Sequence, residues 1–243
     1  MMGFILRAAA VCLVLAGSAQ AADLASIDAD AMSGDPERIR KSIHAYESLH
    51  SGDADVLWRL IRAYYNYYDE FTERDSSMQE WAANRGYAVA ETALPKFPQK
   101  VEVVYYGAIM GLAYAEVHRV KAPFLIGDLF KALEEAWRLD PAIDEGGPDR
   151  WLAFLYALPW PIGKGDKEKA VEHLQKALVL APERATHRLA LAKALAGLKR
   201  YDEGWPHVQF MRAGKFTTTS EHWKKIYLFR IEEVAAEFPQ NRK

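Results

Sequence analysis

Apolar residues recur along most of this chain at intervals of three or four, the period of an α-helix that buries one face. Asp35-Pro36 predicts the first helix start, because aspartate accepts from the free N–H groups and proline costs nothing at the first helical position. Ile39, Ile43 and Tyr46 form its apolar face. Ser51-Gly52-Asp53 then ends that helix and caps a second, whose stripe is Leu57, Leu60, Ile61, Tyr64, Tyr68 and Phe71. The polar run from Thr72 to Ser77 separates a third helix carrying Gly86, Ala90 and Ala93, with Pro98 beyond. Two more are predicted over about 100–120 and 124–139, a short one over 149–158 after the turn Gly146-Gly147-Pro148, and another after the link containing Gly163 and Gly165. Residues 22–34 are small, acidic and aperiodic, which predicts a mobile lead-in.

The helices repeat. Ala170, Leu174, Ala177 and Pro182 are spaced by four, three and five residues, as are Gly86, Ala90, Ala93 and Pro98, and again Leu129, Leu133, Ala136 and Pro141. The three prolines lie 43 and 41 residues apart. Gly204, Val208 and Met211 continue the series, with Gly204 thirty-four residues after Ala170 and Leu191, Ala192, Leu195 and Tyr201 ahead of it. Small residues at these positions let antiparallel helices approach closely, and the proline cannot continue the helix it follows. Pro206 predicts a delayed start for the helix bearing Gly204. Thr218 and Glu221 predict a capping box for a last helix through Trp223, Tyr227, Ile231 and Val234, which covers the open end of the stack. The expected fold is all-α: an α-solenoid of about four helix pairs with flanking N- and C-terminal helices, one domain over 35–243.

Over about residues 53–216 these spacings resemble the tetratricopeptide-repeat family. More narrowly, YYGAIMGLAYAE at 105–116, the stretch DEGGPDRWLAFLYALPWP and then GDKEKAVEHLQKAL, with Gly146, Gly147, Pro148, Arg150, Pro159, Gly165, Asp166 and Ala170, resemble the periplasmic T component associated with tripartite (TRAP) transporters. That resemblance implies a non-enzymatic helical-repeat protein which partners the transporter's solute-binding protein and encloses a hydrophobic channel or cavity. Members of that family are often lipoproteins. Here Ser18 stands where the lipidated cysteine would be, and serine cannot form the thioether.

Composition adds an address. Arg7, the apolar run Ala8 to Ala16 and the small-x-small site Ala19-Gln20-Ala21 read as a signal peptide over residues 1–21, leaving a mature chain that begins at Ala22 or Asp23 in the periplasm or outside the cell. The apolar run is well short of the ~20 residues a membrane span requires, so no transmembrane segment is expected in the mature chain. The single cysteine, Cys12, falls in the leader, which leaves stability to packing rather than to disulfides. Net charge is −2 for the 243 residues and −3 once Arg7 is removed, and no basic tract points to nucleic acid.

Catalytic chemistry is not indicated. The histidines 44, 50, 118, 173, 187, 207 and 222 form no i, i+4 pair and no HExxH, no serine lies in a GxSxG elbow, and the GKGD loop lacks both Walker spacing and a preceding strand. No cofactor, metal or catalytic residue is therefore assigned. The aromatics are the remaining signal: Tyr64, Tyr65, Tyr67 and Tyr68 cannot share one helical face, so part of the set must reach a second surface. Tyr65, Tyr106 and Arg188, on the first helices of their pairs, are assigned as partner-binding residues on a concave face, where tyrosine and arginine combine contact area with directed hydrogen bonds. Two readings stay open, a scaffold for a protein partner and a carrier of a small apolar or lipid-like ligand in an aromatic-lined cavity. Assembly with further copies of the chain stays open as well.

Overall fold

In the computed structural model, residues 24–72, 74–159, 162–218 and 220–242 are described, and all regular structure among them is helical. The helices are α1 (24–31), α2 (Pro36–Ser48), α3 (Ala54–Glu70), α4 (Ser76–Ala93), α5 (Val101–Val117), α6 (Ala122–Leu139), α7 (Gly147–Ala157), α8 (Lys167–Leu180), α9 (Ala185–Gly197), α10 (Tyr201–Arg212) and α11 (Glu221–Ala235). From α2 to α11 each helix packs on its successor, and α3 also meets α5 while α9 meets α11. This is the contact pattern of stacked helix pairs, α3–α4, α5–α6, α7–α8 and α9–α10, closed by α11. Accordingly there is no single core. Overlapping clusters hand over along the chain, from Ile61 and Tyr64, through Ile109, Leu133 and Leu155, then Leu174 and Leu191, to Val208, Trp223 and Ile231.

Local chemistry places the helix starts. The carboxylates of Asp35, Asp53, Asp75 and Asp166 each accept from backbone N–H groups of the following turn. The repeated small residues sit where helices meet most closely. A Cβ on Gly86 would lie 2.5 Å from Met110 Sδ and 2.8 Å from Tyr64 Cβ, and one on Gly204 would lie 2.7 Å from the Phe238 ring and 3.2 Å from Leu195 Cβ. Ala90, Ala93, Ala136, Ala170 and Ala177 have no exposed surface.

Three expectations change. Residues 24–31, read as mobile lead-in, form α1, because Asp28 accepts from Tyr46 Oη (2.7 Å) and Arg59 Nε (2.9 Å) and pairs with Arg62, partners supplied by α2 and α3. The helix bearing Pro206 starts on time at Tyr201: Pro206 and Asp202, whose carbonyl loses its i+4 partner, are both exposed, so the missing bond falls on the solvent-facing side of the helix. The cap of α11 is Ser220, whose Oγ accepts from Trp223 N at 3.3 Å, and not Thr218. The segment before it is held in a backbone bridge, Thr217 N to Glu183 O at 2.8 Å and Ala185 N to Thr217 O at 3.0 Å, which keeps it from entering the helix. Among the described residues no helix is long and apolar enough to cross a membrane.

Candidate functional site

The turn between α6 and α7 is backbone in an unusual state. Asp144, Glu145 and Gly146 have φ of 50°, 56° and 84°, so two side-chain-bearing residues occupy the left-handed region that only glycine enters freely. Surrounding groups over-determine this geometry. Asp144 Oδ2 accepts from Tyr105 Oη (2.5 Å) and Arg150 Nη2 (2.7 Å), and its Oδ1 accepts from Arg184 Nη2 (3.0 Å). Arg184 Nη1 also donates to the Asp144 carbonyl (2.9 Å) and to Glu145 Oε2 (2.8 Å). His187 Nε2 lies 2.9 Å from the Glu145 carbonyl. Gly147 follows because a Cβ there would land on the Tyr105 hydroxyl. One strained turn is thereby fastened to α5, α7 and α9.

Electrostatics follow from burial and from two guanidiniums around one carboxylate. Burial alone would raise Asp144, but Arg150 and Arg184, with the hydrogen bonds from Tyr105 and Arg150, hold its pKa at about 2. Burial, then the nearby Arg150, pushes His187 down to about 4, so the ring is neutral and its Nε2–H donates to the carbonyl.

Asp69, near the end of α3, faces the same region. Burial, reinforced by Glu70, lifts its pKa to about 7 against the opposing pull of Arg150, the Trp223 indole and Arg184. Yet Asp69 is only half-buried. The same combination recurs at Tyr65, raised well above 10.0 chiefly by burial and still half-buried, and at Tyr106, raised to about 12 by burial and then by Asp144. Tyr65, Asp69 and Tyr106 form a half-buried cluster with Arg150 and Trp151. These side chains come from α3, α5 and α7, and Trp223 and Tyr227 of α11 interact with Asp69.

Of the residues singled out from sequence, Tyr65 and Tyr106 belong to this cluster. Tyr65 meets Trp151 edge-on with centroids 6.3 Å apart, and Tyr106 stacks on Trp58 at 5.7 Å and meets Tyr105 at 5.0 Å. Arg188 does not join them. Its guanidinium carbon lies 3.6 Å from the Phe210 ring centroid, and it donates to the Pro182 carbonyl at 2.6 Å, in a separate groove between α8, α9 and α10. The remaining crowded tyrosines are core. Tyr64, Tyr67 and Tyr68 are buried, since α3 is flanked by α2, α4 and α5. Asp69, Asp144 and Arg184 were not identified from sequence, and only the DEGG turn hints at one of them. No group of histidine, cysteine or acidic residues among the described residues could hold a metal ion.

No protein-family model matches the chain, and no curated protein matches it. Among solved structures, a thermophilic tetratricopeptide-repeat protein from Thermus thermophilus aligns over 82% of this chain and 92% of its own with a TM-score of 0.58 at 16% identity. MamA aligns over 79% of this chain and 96% of its own at 18% identity, with a TM-score of 0.45. The Thermus likeness, together with the stacked helix pairs, shows a tetratricopeptide-repeat-like fold.

Proposed function

We propose that this chain is a non-enzymatic, extracytoplasmic scaffold that binds a partner protein, specifically the solute-binding protein of a TRAP transporter, after removal of residues 1–21. The observation that carries the scaffold reading is the groove along α8–α10. Val179 is 82% exposed and Leu180 45%, beside Pro182 and the Arg188 that lies on Phe210. Apolar side chains so exposed, rimmed by Gln175, Glu203 and Arg188, mark a surface that another protein covers. The transporter partner rests on the sequence resemblance around Gly146–Ala170.

Because Tyr65 packs on Trp151 and Tyr106 on Trp58 and Tyr105, their truncation is expected to disturb folding, and Arg188 becomes the working test residue of the three. The double variant Val179→Asp, Arg188→Ala should keep its helical circular dichroism and bind the cognate solute-binding protein at least tenfold more weakly in calorimetric titration, about 1.4 kcal/mol. Unchanged affinity in a folded variant removes this groove from the interface.

The half-buried aromatic cluster of Tyr65, Tyr106 and Trp151 favours a second reading, a carrier of a small apolar or lipid-like ligand.

A further inference from the structure

The turn that joins α5 to α6 carries two apolar side chains that the fold leaves uncovered. Val120 is 87% exposed and Phe124 83%, more than any other large apolar side chain among the described residues. They stand four positions apart, one in the turn and one in the first turn of α6. Two such side chains held in water at one tip gain free energy from any apolar phase that reaches them.

Charge at the same edge of the molecule is one-sided. In a stack of antiparallel pairs, the turn within each pair falls at one edge and the turns between pairs fall at the other. Within the last three pairs these turns are 118–121, 158–166 and 198–200, and together they hold five basic residues and one acid, Asp166, which is engaged in capping α8. The first pair's turn, 71–75, adds one basic residue and two acids, of which Asp75 caps α4. At the opposite edge, the turns 94–100, 140–146 and 181–184 hold three basic residues and four acids. Arg200 pairs with Glu203 and Glu168, but Arg119, Lys121, Lys164 and Lys199 have no carboxylate partner among the described residues. The acids nearest the α5–α6 turn in sequence are already engaged: Glu116 accepts from the Tyr68 hydroxyl at 2.8 Å, and Asp128 pairs with Lys131 at 3.0 Å. Lys121 Nζ lies 5.1 Å from the Tyr114 ring centroid and Lys164 Nζ 4.6 Å from that of Phe130, so aromatic faces hold both cations at this edge.

We propose that this edge docks on an anionic lipid surface, with Val120 and Phe124 in the interfacial layer and Arg119, Lys121 and Lys164 on headgroup phosphates. Shape favours a bilayer over a protein. A protein must offer a pocket matched to each protruding side chain, whereas the boundary of headgroups and acyl chains accepts them wherever they touch. Long basic side chains suit that boundary because their stems lie in apolar surroundings while their charges reach phosphate. Attachment is peripheral, since no described helix is long and apolar enough to cross a membrane. Val179 and Pro182, the apolar end of the α8–α10 groove, adjoin the turn between α8 and α9 at the opposite edge, so lipid on one side leaves that groove open to a partner.

The test is cosedimentation of the chain starting at Ala22 with vesicles of three parts phosphatidylcholine to one part phosphatidylglycerol, and with vesicles of phosphatidylcholine alone. The protein should bind the anionic vesicles at least tenfold more tightly, and added salt should weaken that binding. The double variant Val120→Ser, Phe124→Ser should bind them at least tenfold more weakly with unchanged helical circular dichroism. Arg119→Gln, Lys121→Gln should lose most of the preference for anionic over neutral vesicles, while removal of two cations elsewhere, Lys96→Gln, Lys193→Gln, should preserve it. No binding of the unaltered chain to anionic vesicles overturns the proposal, as does binding that the Val120, Phe124 variant leaves unchanged. Equal losses from the two charge-removing variants overturn it too, because bulk charge then accounts for the attraction. If the unaltered chain ignores vesicles and the Val120, Phe124 variant instead weakens association with the solute-binding protein, the edge belongs to a protein interface and the lipid assignment falls.

Discussion

Asp69→Asn should stabilise the protein at pH 8 and do so by less than half as much at pH 5. The wild-type carboxyl rises from its ordinary 3.8 to about 7, because burial disfavours its charge and Glu70 adds repulsion. At 1.36 kcal/mol for each tenfold change in proton affinity, the ionised form is disfavoured in the native state by at most about 4 kcal/mol. Solvent still reaches Asp69, which screens its field and brings the expected value to ~1–2 kcal/mol. The sign follows from proton counts. Between pH 3.8 and 7 the native state binds more protons at this site than the unfolded chain, so stability falls as pH rises through that window, and the full penalty is present above it. Asparagine keeps the shape and an oxygen to face the Trp223 indole, and it carries no charge. For a domain of this size, ~1–2 kcal/mol corresponds to a rise of about 2–8 °C in melting temperature. Circular dichroism melts of both proteins at pH 5 and pH 8 measure it. A variant that melts lower at pH 8 would show that the charge is a stabilising partner of Arg150, and equal shifts at both pH values would show that the native carboxyl titrates like an ordinary one.

Two other outcomes are expected. Ala177 has no exposed surface, and its Cα lies 3.0 Å from where a Cβ on Gly146 would stand, so Ala177→Trp overfills the α7–α8 approach and should cost ~1–3 kcal/mol or more, whereas Lys176→Trp on the exposed face should cost far less; equal urea midpoints for the two refute the repeat register. Intact-mass measurement of exported protein should give a chain starting at Ala22 or Asp23 without lipid, and a full-length or acylated mass refutes the export reading.

What could be read without coordinates is local in its physics. Asp35, Asp53 and Asp166 satisfy N–H groups two or three residues away, and the spacing of Ala170, Leu174, Ala177 and Pro182 follows from the helical period and the close approach of one pair. Those forces act within a turn or between neighbouring helices, so the primary structure reveals them, and with them the solenoid. Tertiary structure decided everything whose partner is distant in the chain. The lead-in became α1 because Asp28 finds Arg59 and Arg62 on α3, 31 and 34 residues away. Thr218 lost the role of cap because its neighbour Thr217 is tied to Glu183. Arg188 parted from Tyr65 and Tyr106 because it packs on Phe210 of α10, while they pack on Trp151 of α7 and on Trp58 and Tyr105 of α3 and α5. The site itself is the clearest case. Tyr105 reaches Asp144 and Arg150 across 39 and 45 residues, and Arg184 reaches Asp144 across 40. The shift of Asp69 arises from the walls around it, since desolvation depends on which helices surround a carboxyl and not on which residues adjoin it in sequence.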